Sequence, residues 1–165
     1  GSIPFAYAAR PSLWFTAHEL EAFRDRSKRE PWKAYGARII ALSKASLDKR
    51  PRTGRGAGGT AEAVIWGYIL TGETVYRNRV IDWLDHFSKE RPFGEWNYRM
   101  PGVAAMGYDL VADHMDPAVK GRVQRYLMDT IDYYLENDAH GSWFASNATS
   151  TNPMVNRGAV PPALV

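Results

Sequence analysis

The fold class of this chain is decided by residues 60–89, which read TAEAVIWGYILTGETVYRNRVIDWLDHFSK. Apolar side chains recur there at three- and four-residue spacing, in two runs separated by Thr71 and Gly72, and such spacing predicts amphipathic helices. The first run contains Ala61, Val64, Ile65, Tyr68 and Ile69, and the second contains Tyr76, Val80, Trp83, Leu84 and Phe87. Because glycine commonly ends a helix, we expect one helix from about Thr60 to this break and another at about 73–89.

Two helices are predicted before this stretch. Thr16 and Glu19 have the spacing of a capping box, so a helix is expected from there to about Lys28. Pro31 suits the first turn of the next helix, which is expected to continue to about Leu47. Its apolar positions at helical spacing are Trp32, Tyr35, Ile39 and Leu42. A loop rich in arginine, glycine and proline is expected to follow at residues 48–59.

Two more helices are predicted after residue 89. One is expected over about residues 96–113, with Pro101 and Gly102 delaying its start or kinking it. The other begins with Asp116 as N-cap and Pro117 at the first helical position, and extends to about residue 137. No segment alternates like a strand, so the sequence predicts an all-α protein.

A weak internal repeat supports a hairpin organisation. Gly67-Tyr68-Ile69-Leu70 matches Gly107-Tyr108-Asp109-Leu110, forty residues further along the chain. Val80, Trp83 and Leu84 match Val123, Tyr126 and Leu127 at an offset of forty-three. A period of this length is typical of stacked helical hairpins, so we expect one domain over residues 1–165 that forms part of an incomplete (α/α) toroid.

Composition excludes several classes of protein. The chain has no cysteine, so disulfides and thiolate metal sites are excluded, and no His-x-x-x-His spacing predicts a metal site. It has no long apolar run of the kind that spans a bilayer, so no membrane span is expected. The net charge of +3 is modest. The one basic cluster, residues 49–55, is either a solvated loop or an attractor for a polyanion, and it lacks the interleaved aromatics of a nucleic-acid platform.

Several short motifs of the chain resemble those of one protein family. Arg10-Pro11-Ser12-Leu13-Trp14-Phe15-Thr16 and then Glu30-Pro31-Trp32 are similar to the start of the toroid domain in heparinase II/III-like and alginate-lyase-like polysaccharide lyases. Leu70-Thr71-Gly72-Glu73 ahead of Tyr76 is similar to its second hairpin, and Ala105-Met106-Gly107-Tyr108-Asp109-Leu110 to its third. Residues 143–165 resemble the asparagine-rich loop that follows, although no histidine directly follows an asparagine here.

The resemblance implies a lyase that cleaves a uronic-acid polysaccharide, such as alginate or a glycosaminoglycan, by β-elimination without a cofactor. It also implies a periplasmic or secreted bacterial protein, with further hairpins and a C-terminal β-sandwich domain lying outside this chain. Two alternatives stay open: a glycoside hydrolase on the same toroid, and a non-catalytic helical repeat that binds carbohydrate or protein. A hydrolase would need two positioned carboxylates, for which Asp109, Asp113, Glu95 and Asp138 are available. Because Asp109 and Asp113 lie four residues apart on a predicted helix, we expect them to cap or solvate that helix instead.

The asparagine-rich loop contains the main catalytic candidates. In a β-elimination the uronate carboxylate must be neutralised before its C5 proton can be removed, and an amide or a guanidinium can do this. Asn147, Asn152 and Asn156 are candidates for that role, with Arg157 as a charged alternative. The competing interpretation is that these asparagines satisfy the loop backbone through side-chain turns.

Four further residues are candidates for proton transfer or substrate contact. His140 is placed for proton transfer, or else pairs with the end of a helix. Tyr98 and Arg99 lie near the start of the fifth helix, where they either contact substrate or pack on the core. Trp143 either stacks on a sugar ring or pins the loop.

The last expectation concerns the chain in isolation. If a toroid cleft is lined by helices from the whole ring, these 165 residues alone contain only part of its wall, and we expect little or no lyase activity from them. We also expect self-association through the apolar residues near the end of the chain, namely Ala163, Leu164 and Val165.

Overall fold

The computed structural model describes residues 10–93, 97 and 99–139, with side chains described as far as residue 136. Within this part of the chain the regular structure is entirely helical. The helices are α1 Ala17–Ser27, α2 Lys33–Leu47, α3 Ala57–Thr71, α4 Thr74–Glu90, α5 Arg99–Val111 and α6 Pro117–Ala139, with a short 3-10 helix at Ala112–His114. The prediction of an all-α protein is confirmed for the described residues.

Local capping chemistry sets several helix ends where the sequence predicted them. The Thr16 hydroxyl accepts a hydrogen bond from the Glu19 backbone N–H, and the Glu19 carboxylate accepts one from the Thr16 N–H at 2.8 Å. The backbone and side-chain hydrogen bonds from Thr16 lower the pKa of Glu19. Gly72 ends α3 in the left-handed conformation, with φ of 70°. The Asp116 carboxylate caps α6 by accepting from the Ala118 N–H at 2.8 Å.

The start of α3 differs from the prediction, and it packs against the start of α5. Helix α3 begins at Ala57 and includes glycines that were predicted to be loop, whereas α5 begins only at Arg99. A Cβ atom built on Gly58 would lie 3.0 Å from the Arg99 Cβ, so the two helix starts touch where Gly58 has no side chain. The contact buries Ala57 and Gly58 and explains why this glycine-rich segment is helical.

The buried face of α2 is not the one that its apolar spacing suggested. Three of the four residues on the predicted apolar face are exposed, with fractions of 52% for Trp32, 67% for Tyr35 and 59% for Leu42. The fourth, Ile39, is half-buried. Its buried residues are small, namely Gly36, Ser43 and Ser46. A Cβ on Gly36 would lie 2.9 Å from the Ser27 carbonyl oxygen, so close packing excludes a larger residue. Helix α2 also begins at Lys33, so Pro31 precedes the helix and is not in its first turn.

Helices α3, α4 and α5 form the centre of the core. Their buried residues include Ile65, Trp83, Phe87 and Tyr108, each 2% exposed or less. Each helix contacts the next along the chain, and contacts also join α1 with α3, α3 with α5, and α4 with α6. Contacts between alternate helices are typical of stacked hairpins. None of the described helices combines the length and apolarity needed to cross a bilayer.

Both glycines of the sequence repeat pack against α4. A Cβ on Gly67 would lie 2.5 Å from a ring carbon of Tyr76, and one on Gly107 would lie 3.1 Å from Val80. The matched apolar triplets of the repeat are all buried, namely Val80, Trp83 and Leu84, and Val123, Tyr126 and Leu127. The repeat therefore marks real packing positions.

Candidate functional site

Of the predicted site residues, Arg99 is the one whose position the structure describes. The catalytic candidates Asn147, Asn152, Asn156 and His140 lie outside the described residues. The substrate-contact candidates Tyr98, Trp143 and Arg157 also lie outside them. Arg99 and its neighbours are therefore the described part of the predicted site.

Arg99 is the first residue of α5 and lies along the start of α3. Its guanidinium forms an ion pair with Glu62, one turn into α3, and its side chain remains 40% exposed. A guanidinium has five N–H donors, and the carboxylate of Glu62 faces only some of them. Arg99 can therefore hold Glu62 and still donate to a second carboxylate from solvent.

An asparagine holds the arginine-rich loop against the start of α5. The side-chain oxygen of Asn97 accepts a hydrogen bond from the Gly54 N–H at 3.0 Å, and its amide donates to the Phe93 carbonyl at 3.0 Å. Gly54 and Gly56 have φ of 87° and 83°, a conformation that glycine adopts without strain. Residue 97 thus connects two segments that are about forty residues apart in sequence.

These contacts bring the arginine-rich loop to the same end of the helical bundle as Arg99. We call this the arginine end and define it as Arg50, Arg52, Arg55 and Arg99. Arg50, Arg52 and Arg55 belong to exposed positions of the loop, and no acidic residue lies within residues 49–55. Such a surface attracts anionic ligands, and guanidinium groups suit carboxylates and sulfates because they donate paired hydrogen bonds. The basic cluster and Arg99, which the sequence flagged separately, therefore lie at the same end of the bundle.

A second concave site lies beside the N-terminal segment. It has a volume of about 220 Å³, and its polar lining residues include Arg10, Arg24, Tyr68, Asp109 and His114. Two of these residues, Arg24 and Asp109, hold the fold together. The Arg24 guanidinium donates to the carbonyl oxygens of Ile69, at 2.8 Å, and Tyr68, at 3.3 Å, and so satisfies the end of α3.

Asp109 has a structural position that its spacing did not predict. The expectation that it caps or solvates its helix is wrong, because the residue is only 3% exposed. Its carboxylate accepts hydrogen bonds from the Ser12 N–H at 2.9 Å and the Leu13 N–H at 2.8 Å, and it pairs with Arg10 at 3.6 Å. A carboxylate with these partners is not available as a hydrolase acid, which weakens the glycoside hydrolase alternative. Asp113 is exposed and pairs with Lys120.

Sequence reasoning missed the polar residues of this second site. Arg24 is one of several charged positions along α1, and nothing in its spacing distinguishes it. Arg10 and Asp109 both occur in the motifs of the family resemblance, but their pairing joins residues nearly one hundred positions apart. Within the part of the chain that the structure describes, no group of three or more histidine, aspartate or glutamate residues could hold a metal ion.

Comparison with known proteins supplies no relative. No protein-family model, curated protein or solved structure matches the chain. The functional interpretation therefore rests on the residues and their geometry.

Proposed function

We propose that this chain belongs to a polysaccharide lyase that cleaves a uronic-acid polymer by β-elimination. In this proposal the stacked hairpins form part of an (α/α) toroid, for which the contacts between alternate helices are the support. The motifs around Arg10, Gly72 and Gly107, which resemble those of heparinase II/III-like and alginate-lyase-like enzymes, are further support. The proposed location is the periplasm or the exterior of a bacterial cell, as the substrate would require.

The observation that carries the proposal is the arginine end. A uronate polymer presents one carboxylate on each acidic sugar, and a surface with four arginines attracts such a chain and orients it. Arg99 retains exposed donors although Glu62 partly neutralises its charge. In our proposal Arg99 binds a substrate carboxylate, and the loop arginines hold neighbouring sugars of the same polymer.

The chemical step is assigned to residues outside the described part of the chain. Asn147, Asn152 and Asn156, with Arg157, are proposed to neutralise the carboxylate next to the scissile bond, which stabilises the enolate-like transition state. His140 is proposed to transfer the proton, while Tyr98 and Trp143 contact the sugar rings. The reaction breaks the bond between C4 and its glycosidic oxygen as the C5 proton leaves, and it forms a C4–C5 double bond. The leaving oxygen takes up a proton and becomes a hydroxyl group.

The proposal is tested by incubating the protein that contains this chain with alginate, glycosaminoglycans, pectate and a neutral glucan. We expect ultraviolet-absorbing, unsaturated products from at least one acidic polymer and none from the neutral glucan. Saturated reducing ends would identify a hydrolase instead. Binding without turnover would identify a non-catalytic module. Either of these results would contradict the lyase proposal.

A pair of matched variants tests the role of the arginine end. Arg99→Gln removes one cation and leaves Glu62 unpaired, while Arg79→Gln does the same to Asp82 on the exposed surface of α4. We expect Arg99→Gln to lower kcat/KM on the acidic polymer by about tenfold or more, the effect of losing one charge-assisted hydrogen bond. Arg79→Gln should have no effect. Equal activities in the two variants would contradict the assignment of Arg99.

A further inference from the structure

A groove lies between the last turns of α4 and the first turns of α6. It has a volume of about 440 Å³, and three arginines line it, namely Arg91, Arg122 and Arg125. Its remaining lining residues are small or neutral and include Ser88, Ala118 and Gly121. We call it the arginine groove. It shares no residue with the arginine end.

The charges around this groove do not cancel. Arg91 pairs with Asp129, and Arg122 pairs with Asp85, which also binds Lys89. Burial opposes the ionisation of Asp85, but the hydrogen bonds from Lys89 and Arg122 outweigh it and lower the pKa of this carboxyl. Arg125 is exposed and makes no ion pair with any described residue. The groove therefore keeps a positive charge after its internal pairs are counted.

Arg91 occupies a backbone position that normally favours glycine. It ends α4 with φ of 48° and ψ of 57°, the left-handed conformation, and it is the described non-glycine residue with positive φ. The left-handed conformation costs a residue with a Cβ about 1 kcal/mol or more relative to glycine. The arginine is thus present in spite of the local backbone preference.

Gly121 is a glycine at a position where the helix favours other residues. It lies inside α6, where alanine would stabilise the helix by about 1 kcal/mol relative to glycine. Packing does not require a glycine there, since a Cβ at this position would meet no atom within 4 Å. A larger side chain at residue 121 would, however, occupy the groove. A departure from local preference that packing does not explain is expected at a functional site, and Gly121 is such a departure in this groove.

The backbone N–H groups at the start of α6 are already hydrogen-bonded within the helix, so they do not bind an anion in the groove. Pro117 has no N–H, and the Asp116 carboxylate accepts hydrogen bonds from Ala118 at 2.8 Å and Val119 at 3.4 Å. The Lys120 N–H donates to the Asp116 carbonyl. Any anion in the groove must therefore be held by guanidinium groups, which favour planar, multidentate acceptors such as carboxylate and sulfate.

We propose that the arginine groove binds a carboxylate or sulfate group of an acidic polysaccharide, at a site distinct from the arginine end. This inference rests on the proposed function for the identity of the polymer. Arg125 supplies the main unpaired donors, Arg91 and Arg122 add donors from their exposed sides, and Gly121 leaves room for the sugar. The groove gives the polymer a second attachment point on the same molecule.

The experiment measures binding of short alginate and sulfated glycosaminoglycan oligosaccharides by calorimetry at low salt, with a neutral glucan oligosaccharide of equal length as the reference. The variants are Arg125→Gln and Gly121→Leu, compared with Lys120→Gln as the matched control. Lys120 lies on the same helix and pairs with Asp113, and it does not line the groove. Cleavage of the full polymer is measured in parallel through its ultraviolet-absorbing products.

We expect Arg125→Gln to weaken binding of an acidic oligosaccharide by about tenfold, as the loss of one charge-assisted hydrogen bond does. Gly121→Leu should abolish binding in the groove while the thermal midpoint rises or stays unchanged, because leucine favours the helix. Lys120→Gln should bind as the unmodified protein does. Affinities within about twofold of the unmodified protein for both groove variants would overturn the proposal.

Product formation tests the lyase proposal, and oligosaccharide binding by the groove variants tests the groove proposal, so the two can fail separately. Unsaturated products together with unchanged binding in both groove variants would leave the lyase standing and reject the groove. Loss of binding in both groove variants without any unsaturated product would reject the lyase and support the groove as a polysaccharide site.

Discussion

Helices α2 and α3 have the same length and lie side by side, yet they bury opposite kinds of residue. Helix α3 buries large apolar side chains such as Ile65 and Ile69 in the core. Helix α2 presents Tyr35 and Leu42 to solvent and buries Gly36, Ser43 and Ser46. Both have apolar residues at helical spacing, so the spacing predicts the helix in each case but identifies the buried face in only one.

The contact between the two helices explains the difference. A Cβ on Gly67 would lie 2.9 Å from the Ser43 Cβ, so the helix backbones approach closely at this point. Only small residues fit a contact of this kind, because interiors are packed to nearly crystalline density. The residue types that usually mark a core are thereby excluded from the α2 side that faces α3. Size complementarity decides the buried face.

The largest expected loss of stability comes from shortening a buried side chain of α3. Ile65→Ala should lower the free energy of unfolding by about 3–4 kcal/mol, because a fully buried isoleucine is lost together with the packing around it. Urea denaturation monitored by circular dichroism measures the change. A loss below about 1 kcal/mol would mean that α3 is not part of a well-packed core.

Enlarging the small face of α2 should have the next largest effect. Ser43→Leu should destabilise the protein by about 2 kcal/mol, because the residue is fully buried against Gly67. Ser43→Ala is the control and should change stability by less than about 0.5 kcal/mol. Its hydroxyl donates only to the Ile39 carbonyl within the same helix, so its removal leaves no buried donor unpaired. Equal effects of the two variants would contradict the size argument.

Substitution by alanine should change the stability of the protein in opposite directions at two glycines, Gly67 and Gly121. A Cβ on Gly67 would lie 2.5 Å from the Tyr76 ring, so Gly67→Ala should cost about 1–2 kcal/mol in spite of the better helix propensity of alanine. Gly121→Ala has open space and should stabilise the protein by about 0.5–1 kcal/mol. Thermal melts of the two variants under identical conditions show whether each substitution lowers or raises the thermal midpoint. Destabilisation by Gly121→Ala would mean that its surroundings are filled.

The smallest expected effect comes from the exposed face of α2. Leu42→Ala should change the free energy of unfolding by less than about 0.5 kcal/mol, although the same type of substitution at a buried position costs about 2–5 kcal/mol. Leu42 is 59% exposed, so little apolar surface is lost from the fold. Denaturant titration beside Ile65→Ala gives the direct comparison. A loss above about 1 kcal/mol would show that another part of the protein covers this face.

The helical class and most of the helix ends follow from local interactions, so both can be predicted from the sequence. The capping box of Thr16 and Glu19, the left-handed turn at Gly72, and the Asp116 cap before Pro117 each involve residues within four positions of one another. Interactions of this range need only residues at the right spacing along one helix, and they do not require a particular arrangement of the helices.

The sequence also indicated parts of the candidate site, since it singled out Arg99 and the basic residues 49–55. It did not show that they lie at the same end of the bundle, because that depends on the hydrogen bonds of Asn97 to Gly54 and Phe93. The arginine groove was not predicted at all. Arg91 and Arg125 are separated by more than thirty residues, and no spacing within one helix brings them together.

The buried faces of the helices depend on how the helices pack against one another. The same packing determines which polar side chains are buried and hydrogen-bonded within the fold. Spacing alone predicted exposure for Asp109, whereas packing of the N-terminal segment buries it under the backbone N–H groups of Ser12 and Leu13. Spacing likewise favoured burial of Tyr35, which is exposed because α2 turns its small residues toward α3. The physical reason is the same in both cases: burial depends on the shape and hydrogen-bonding capacity of the opposing element, and that element lies far away in sequence.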